Sequence, residues 1–194
     1  MNTFTYEYPI KVYFGEKAAA NNLPAELCKV GSNVLLACGG GSIKRAGIYD
    51  EMIWAAAMAE NGILKIGKVT DFQAHMIEHQ VGAYTSCNHG MGLAVIHPAL
   101  YRHLYKAAPW KFTKLATSVF GVDEKDKTEE EVALEGIEAL ESYIKEIGMP
   151  TRFSEMGITD EEVLRKAADT CILTGGCARE LPRDEIYELL KEAL

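Results

Sequence analysis

The chain has 194 residues, 48% of them apolar and 25% charged, with 28 Asp and Glu against 20 Lys and Arg for a net charge of −8. That apolar content excludes an extended disordered chain, and no run reaches the roughly 18–20 uncharged apolar residues of a membrane-spanning helix. Residues 1–120 carry a net +3 and residues 121–194 a net −11, with no basic stripe, so neither nucleic acid nor a membrane is an expected partner and the acidic half reads as solvated helix faces.

The opening residues, Met1 to Tyr8, lack a basic segment followed by an apolar one, so no export signal is expected. The five cysteines, at 28, 38, 87, 171 and 177, are odd in number and scattered. They read as reduced thiols of a cytoplasmic protein. Tyr8 to Gly15 is rich in β-branched and aromatic residues and predicts a strand. Glu16 to Lys29 is a candidate helix interrupted by Pro24. Asn33 to Cys38 is a short apolar run, as in a buried parallel strand, and runs into Gly39-Gly40-Gly41-Ser42. Another helix is predicted from about Ile43.

From about Asp50 the chain changes character, and helix signals replace strand signals. Thr70 with Gln73, Thr128 with Glu131, and Thr159 with Glu162 have the capping-box spacing. Val132, Leu134, Ile137, Leu140, Ile144 and Ile147 follow helical spacing up to Gly148 and Pro150. A glycine pair, Gly175-Gly176, breaks the chain between Cys171 and Cys177, and a last helix is expected from Asp184. Trp54 and Trp110 read as core residues. One strand–helix–strand unit leaves two parallel strands with an open edge, so homo-oligomerisation through that edge is expected.

The chemically richest stretch is His75-Met76-Ile77-Glu78-His79. On a helix it sets two imidazoles and a carboxylate on one face within a turn. Ten residues past His79 comes His89-Gly90-Met91-Gly92, whose glycines are expected to turn the chain so that His89 folds back. Neutral imidazoles in this arrangement suit a divalent metal such as Fe or Zn. Core or interhelical histidines are the alternative. His75-x-x-Glu78-His79 is also the inverted zinc-peptidase pattern, with Glu78 as general base. His97 and His103 read as packing or surface residues.

Four stretches together resemble the iron-containing alcohol dehydrogenases, in the branch of NAD(P)H-dependent butanol and aldehyde-reducing enzymes. They are Phe4–Gly15, similar to the family's opening hairpin; Gly39–Gly47, similar to its first cofactor loop; Met52–Ala55 with Asn61-Gly62; and His75–His79 through His89–Ala94, which carries the family signature. The resemblance implies a dehydroquinate-synthase-like architecture truncated in its N-terminal half and mainly helical. Residues 1–51 would be a remnant of the α/β nucleotide-binding domain, and 52–194 the all-α metal-binding domain. It implies His75 and His89 as metal ligands and His79 as the catalytic proton relay. Gly39, Gly40, Gly41 and Ser42 would meet the cofactor. Gly40 would leave room for a 2′-phosphate and Lys44 would pair with it, favouring NADP(H) over NAD(H).

The family's second glycine-rich loop, and the Asp and His that supply its other metal ligands, have no match here. The expected function is therefore that of an oxidoreductase interconverting primary alcohols and aldehydes at a divalent metal, impaired or inactive as this short chain, with weak cofactor binding. The alternative is a non-catalytic helical assembly module.

Overall fold

A computed structural model of the chain describes residues 49–173 and 175–194, with side chains from residue 55 onward. The expected strands at 8–15 and 33–38, the helix over 16–29, the Gly39–Lys44 loop, Cys28, Cys38 and the Trp54 side chain lie outside the described residues. The chain divides into two compact units, Met1–Lys68 and Val69–Leu194. In the first, helix α1 spans Tyr49–Glu60 and a single 3-10 turn follows at Ile63–Lys65.

Among its described residues the second unit is built of helices joined by turns and coil, with no strand. Its helices are α2 (Gln73–Thr85), α3 (His89–Leu104), α4 (Pro109–Phe120), α5 (Glu129–Glu146), α6 (Glu161–Thr170) and α7 (Arg183–Glu192). The mainly helical expectation is met, and the reasons are local. Thr128 opens α5 with the expected capping box: its hydroxyl accepts from Glu131 N–H at 3.3 Å, and the Glu131 carboxylate accepts from Thr128 N–H at 2.7 Å. The helix ends before Gly148, which takes a left-handed φ of 76°.

The other two expected boxes are corrected. Helix α6 is capped by Asp160, one residue later than Thr159, with its carboxylate accepting from Glu162 N–H at 2.8 Å. At α2 no side chain caps the helix from Thr70; instead Asp71 accepts from Gln73 N–H at 3.0 Å. Gln73 is drawn elsewhere because it is buried and serves the 179–181 segment. Its side chain donates to Arg179 C=O at 2.8 Å and accepts from Leu181 N–H at 3.1 Å.

Helix α3 is the hub, packing on α2, α5 and α7. Ile77 and Val81 of α2 meet Ile96 and Leu100 of α3, Leu164 of α6 and Leu189 and Leu190 of α7 in the main core, with Phe153 fully enclosed. A smaller cluster of Tyr105, Ala133 and Ile137 joins α5 to the segment after α3. Of the predicted α5 stripe, Val132, Ile137 and Ile144 are buried, whereas Ile147 is exposed because it lies past the helix end. Trp110 corrects a core expectation: it stands in the first turn of α4 with 60% of its surface exposed and the Lys111 ammonium over its ring.

Helices α4 and α5 cross at Gly136. A Cβ there would lie 2.4 Å from Ala116 Cβ and 2.8 Å from Ala116 Cα, which is backbone and has nowhere to go. Gly136→Ala is expected to destabilise the fold by about 1–3 kcal/mol in urea unfolding, the clash outweighing alanine's better helix propensity. A variant as stable as the parent would contradict this crossing.

Glu185 of α7 joins Arg179 and His103. Arg179 donates to it at 2.7 Å, and the His103 ring sits 2.9 Å away. The Arg179 guanidinium, then burial opposing it, then His103, leave the Glu185 carboxyl depressed from 4.5 to about 2. A depressed folded-state value means stability present above pH 4.5 and lost as pH falls towards 2. Because the group is partly solvated, the effect stays below about 1 kcal/mol. Glu185→Gln should flatten thermal stability over that window; an unchanged acid profile would contradict the assignment.

Candidate metal centre

The centre lies where the start of α2 meets the start of α3. Asp71 and Gln73 tie the entry to α2 against the 178–181 segment, with Asp71 also accepting from Ala178 N–H at 2.9 Å. His75 therefore projects from an anchored first turn, and His79, four residues on, from the same face of α2. Phe72 stacks on the His75 ring at 4.3 Å with the planes 7° apart.

His89 reaches them across a short connection. The glycines were expected to make that turn, and they do not: both lie inside α3. The reversal is made by Ser86, in the left-handed region at φ 55°, and by Asn88, whose side chain caps α3 by accepting from Met91 N–H at 3.2 Å. His89 is then the first residue of the helix and faces back towards α2.

The three imidazoles converge. Ring centroids are 5.2 Å apart for His75 and His89, 5.4 Å for His79 and His89, and 6.2 Å for His75 and His79. One ring nitrogen from each lies within 4.8 Å of the others, and this is the cluster of potential metal ligands found among the described residues. His75 is partly buried, and His79 and His89 are exposed, so the cluster is open to solvent on one side. Three imidazole nitrogens at this separation are a donor set that a borderline divalent ion accepts.

Glu78 does not share the open face expected of it. Its side chain is 2% exposed, between α2 and α3, and one carboxylate oxygen is hydrogen-bonded to His89 Nδ1. The other oxygen faces the Cys87 thiol at 3.8 Å. Glu78 was the carboxylate of a sequence pattern; its link to His89 was not foreseen, and the signal for it was the glycine at 92.

His97 lies further along α3. Burial first, then the charge of His75, lowers its pKa to about 4, so it is neutral at pH 7. Its ring stacks on Tyr101 at 5.3 Å, and Tyr101 meets Phe112 edge-on at 5.2 Å. His103 is turned to Glu185 and Glu192 and is a packing residue, as expected. Cys87, Cys171 and Cys177 are free thiols, and burial pushes Cys171 up to about 11, which makes it structural rather than reactive. Among the described residues no helix is long and apolar enough to cross a membrane.

Comparison with known proteins assigns the chain to a family. Residues 27–194 match the model of the Fe-containing alcohol dehydrogenase family, C-terminal. A Bacillus subtilis protein named as a probable NADH-dependent butanol dehydrogenase is 35% identical over 76% of this chain and 38% of its own length. NADH-dependent butanol dehydrogenase B of Clostridium acetobutylicum is 29% identical over 80% of this chain and 42% of its own. The crystal structure of NADH-dependent butanol dehydrogenase A from Thermotoga maritima superposes with a TM-score of 0.68 at 30% identity, over 75% of this chain and 38% of that one. The chain thus spans about two-fifths of the length of the curated relatives it matches. With a match across most of its residues, the chain belongs to the Fe-containing alcohol dehydrogenase family, in the family's C-terminal region.

Proposed function

We propose that this chain carries the metal-binding half of an NAD(P)H-dependent oxidoreductase that interconverts primary alcohols and aldehydes. The observation that carries the reading is the convergence of three ring nitrogens within 4.8 Å at the helix α2–α3 junction. His75 and His89 would hold a divalent ion, Fe or Zn, within the helical unit of Val69–Leu194. That ion supplies Lewis acidity to the oxygen of the alcohol or aldehyde. Phe72 keeps the His75 ring oriented by stacking. His79, on the solvent side, gives or takes the proton of the substrate hydroxyl at its ring nitrogen.

The NADH dependence in the relatives' names supports a nicotinamide dinucleotide as cofactor. Gly39, Gly40, Gly41, Ser42 and Lys44 are proposed to contact it, and the preference for NADP(H) rests on Gly40 and Lys44 alone. With no match to the family's second glycine loop or to its Asp and His ligands, independent turnover is weak. The chain is further proposed to be cytoplasmic and to form a homo-oligomer through the two strands expected at 8–15 and 33–38. The peptidase reading is disfavoured because Glu78 is enclosed and engaged by His89, out of reach of a substrate water.

The same convergence favours a second assignment, with His79 as a third ligand in a three-imidazole site. Cobalt(II) titration followed by visible absorption separates the cases. Binding by the purified chain should fall by more than about 100-fold in His75→Ala and His89→Ala, a larger loss than an outer-shell change causes, with helical circular dichroism intact. His79→Ala retaining affinity supports the relay; a loss equal to that of His75→Ala supports the third ligand. Unchanged binding in both His75→Ala and His89→Ala contradicts the ligand assignment. A parent chain that binds neither cobalt nor NADH supports the assembly-module alternative.

A further inference from the structure

We infer that Glu78 is the positioning residue of this centre: its buried carboxylate fixes the ring of His89, and Gly82 and Gly92 form the cradle that keeps the carboxylate in place. The inference rests on the metal reading proposed above, and deepens it.

Burial of the carboxylate is the first ground. Glu78 is 2% exposed, although it sits between partly exposed His75 and exposed His79 on the same helix. A carboxylate in that position is costly to take out of water unless its oxygens are engaged. One oxygen takes His89 Nδ1, and the other faces the Cys87 thiol at 3.8 Å.

The cradle is the second ground. A Cβ on Gly92 would lie 2.8 Å from Glu78 Oε1, 2.9 Å from Cγ and 3.2 Å from Cδ. A Cβ on Gly82, one turn further along α2, would lie 3.3 Å from the same Oε1. Each of the two crossing helices thus leaves out a side chain where the Glu78 carboxyl stands. Both glycines have ordinary helical backbone there, so backbone freedom does not account for them.

The consequence for the ring follows from imidazole chemistry. With Nδ1 against a carboxylate acceptor, the neutral ring carries its proton on Nδ1 and leaves the Nε2 lone pair available. A carboxylate on the far nitrogen also restricts ring rotation and raises the basicity of the ligating nitrogen. His89 is half exposed, so packing alone does not hold its ring; the buried partner does.

Two measurements test this. In the metal-free protein at neutral pH, long-range proton–nitrogen spectra should show His89 in the Nδ1–H form, and Glu78→Leu should release it to the Nε2–H form that free imidazole side chains favour. In cobalt(II) titrations, Glu78→Gln and Gly92→Ala should each weaken binding by about 10–100-fold. Gly92→Ala keeps the charge and displaces the carboxyl, so it decides the question if the Glu78 variants fail to fold. Parent-level affinity in Glu78→Gln and Gly92→Ala, with an unchanged His89 tautomer in Glu78→Leu, overturns the inference while leaving the metal site standing. A parent chain that binds no cobalt overturns the metal reading instead, and the tautomer then decides alone whether Glu78 sets the ring.

Discussion

A hydrogen bond between a buried carboxylate and a half-exposed imidazole joins the two helices that carry the three clustered imidazoles. Glu78 is on α2 and His89 begins α3, so their contact fixes how the two helices start against each other. Around it the structure is arranged in both directions. Outward, the contact presents the His89 ring towards His75 and His79. Inward, the carboxylate is 2% exposed, and Ile77, Val81, Val95 and Ile96 of the same two helices are buried in the core. Burial strengthens the hydrogen bond and also raises the cost of leaving it unmade.

Helix α3 carries this division of labour along its length. Its first turn bears His89 and Gly92 and belongs to the centre. Its later residues, Ile96, Leu100 and Leu104, belong to the core shared with α6 and α7. Pro98 removes one backbone donor in mid-helix at a buried position, where the helix is held by packing rather than by its own hydrogen bonds alone. The charge of residues 121–194 stays on outer faces, with Glu129, Glu130 and Glu131 in the first turn of α5, where carboxylates suit the helix dipole.

Much of this was legible from residue spacing, and the failures have physical causes. The α5 cap and stop were readable because Thr128, Glu131 and Gly148 act within four residues of their partners. The convergence of His75, His79 and His89 was readable because helical periodicity and one short connection confine them. Thr70 and Gln73 had the spacing of a cap, but Gln73 bonds to residues more than a hundred positions away, which no local pattern records. Gly90 and Gly92 looked like turn residues because glycine serves both turns and close approach; Ser86 makes the turn, and Gly92 makes room for the Glu78 side chain, eleven residues upstream of the helix start. Trp110 looked like core by size, yet the start of α4 leaves it in solvent.

The central claim is that these imidazoles share a divalent ion. X-ray absorption at the zinc edge, on the protein loaded with one equivalent of zinc, tests it without reference to turnover. The account predicts a nitrogen and oxygen shell at about 2.0–2.1 Å, with the outer-shell scattering of at least two imidazole rings. A spectrum of hydrated zinc alone, or a sulfur shell at about 2.3 Å from the free thiols, would contradict it.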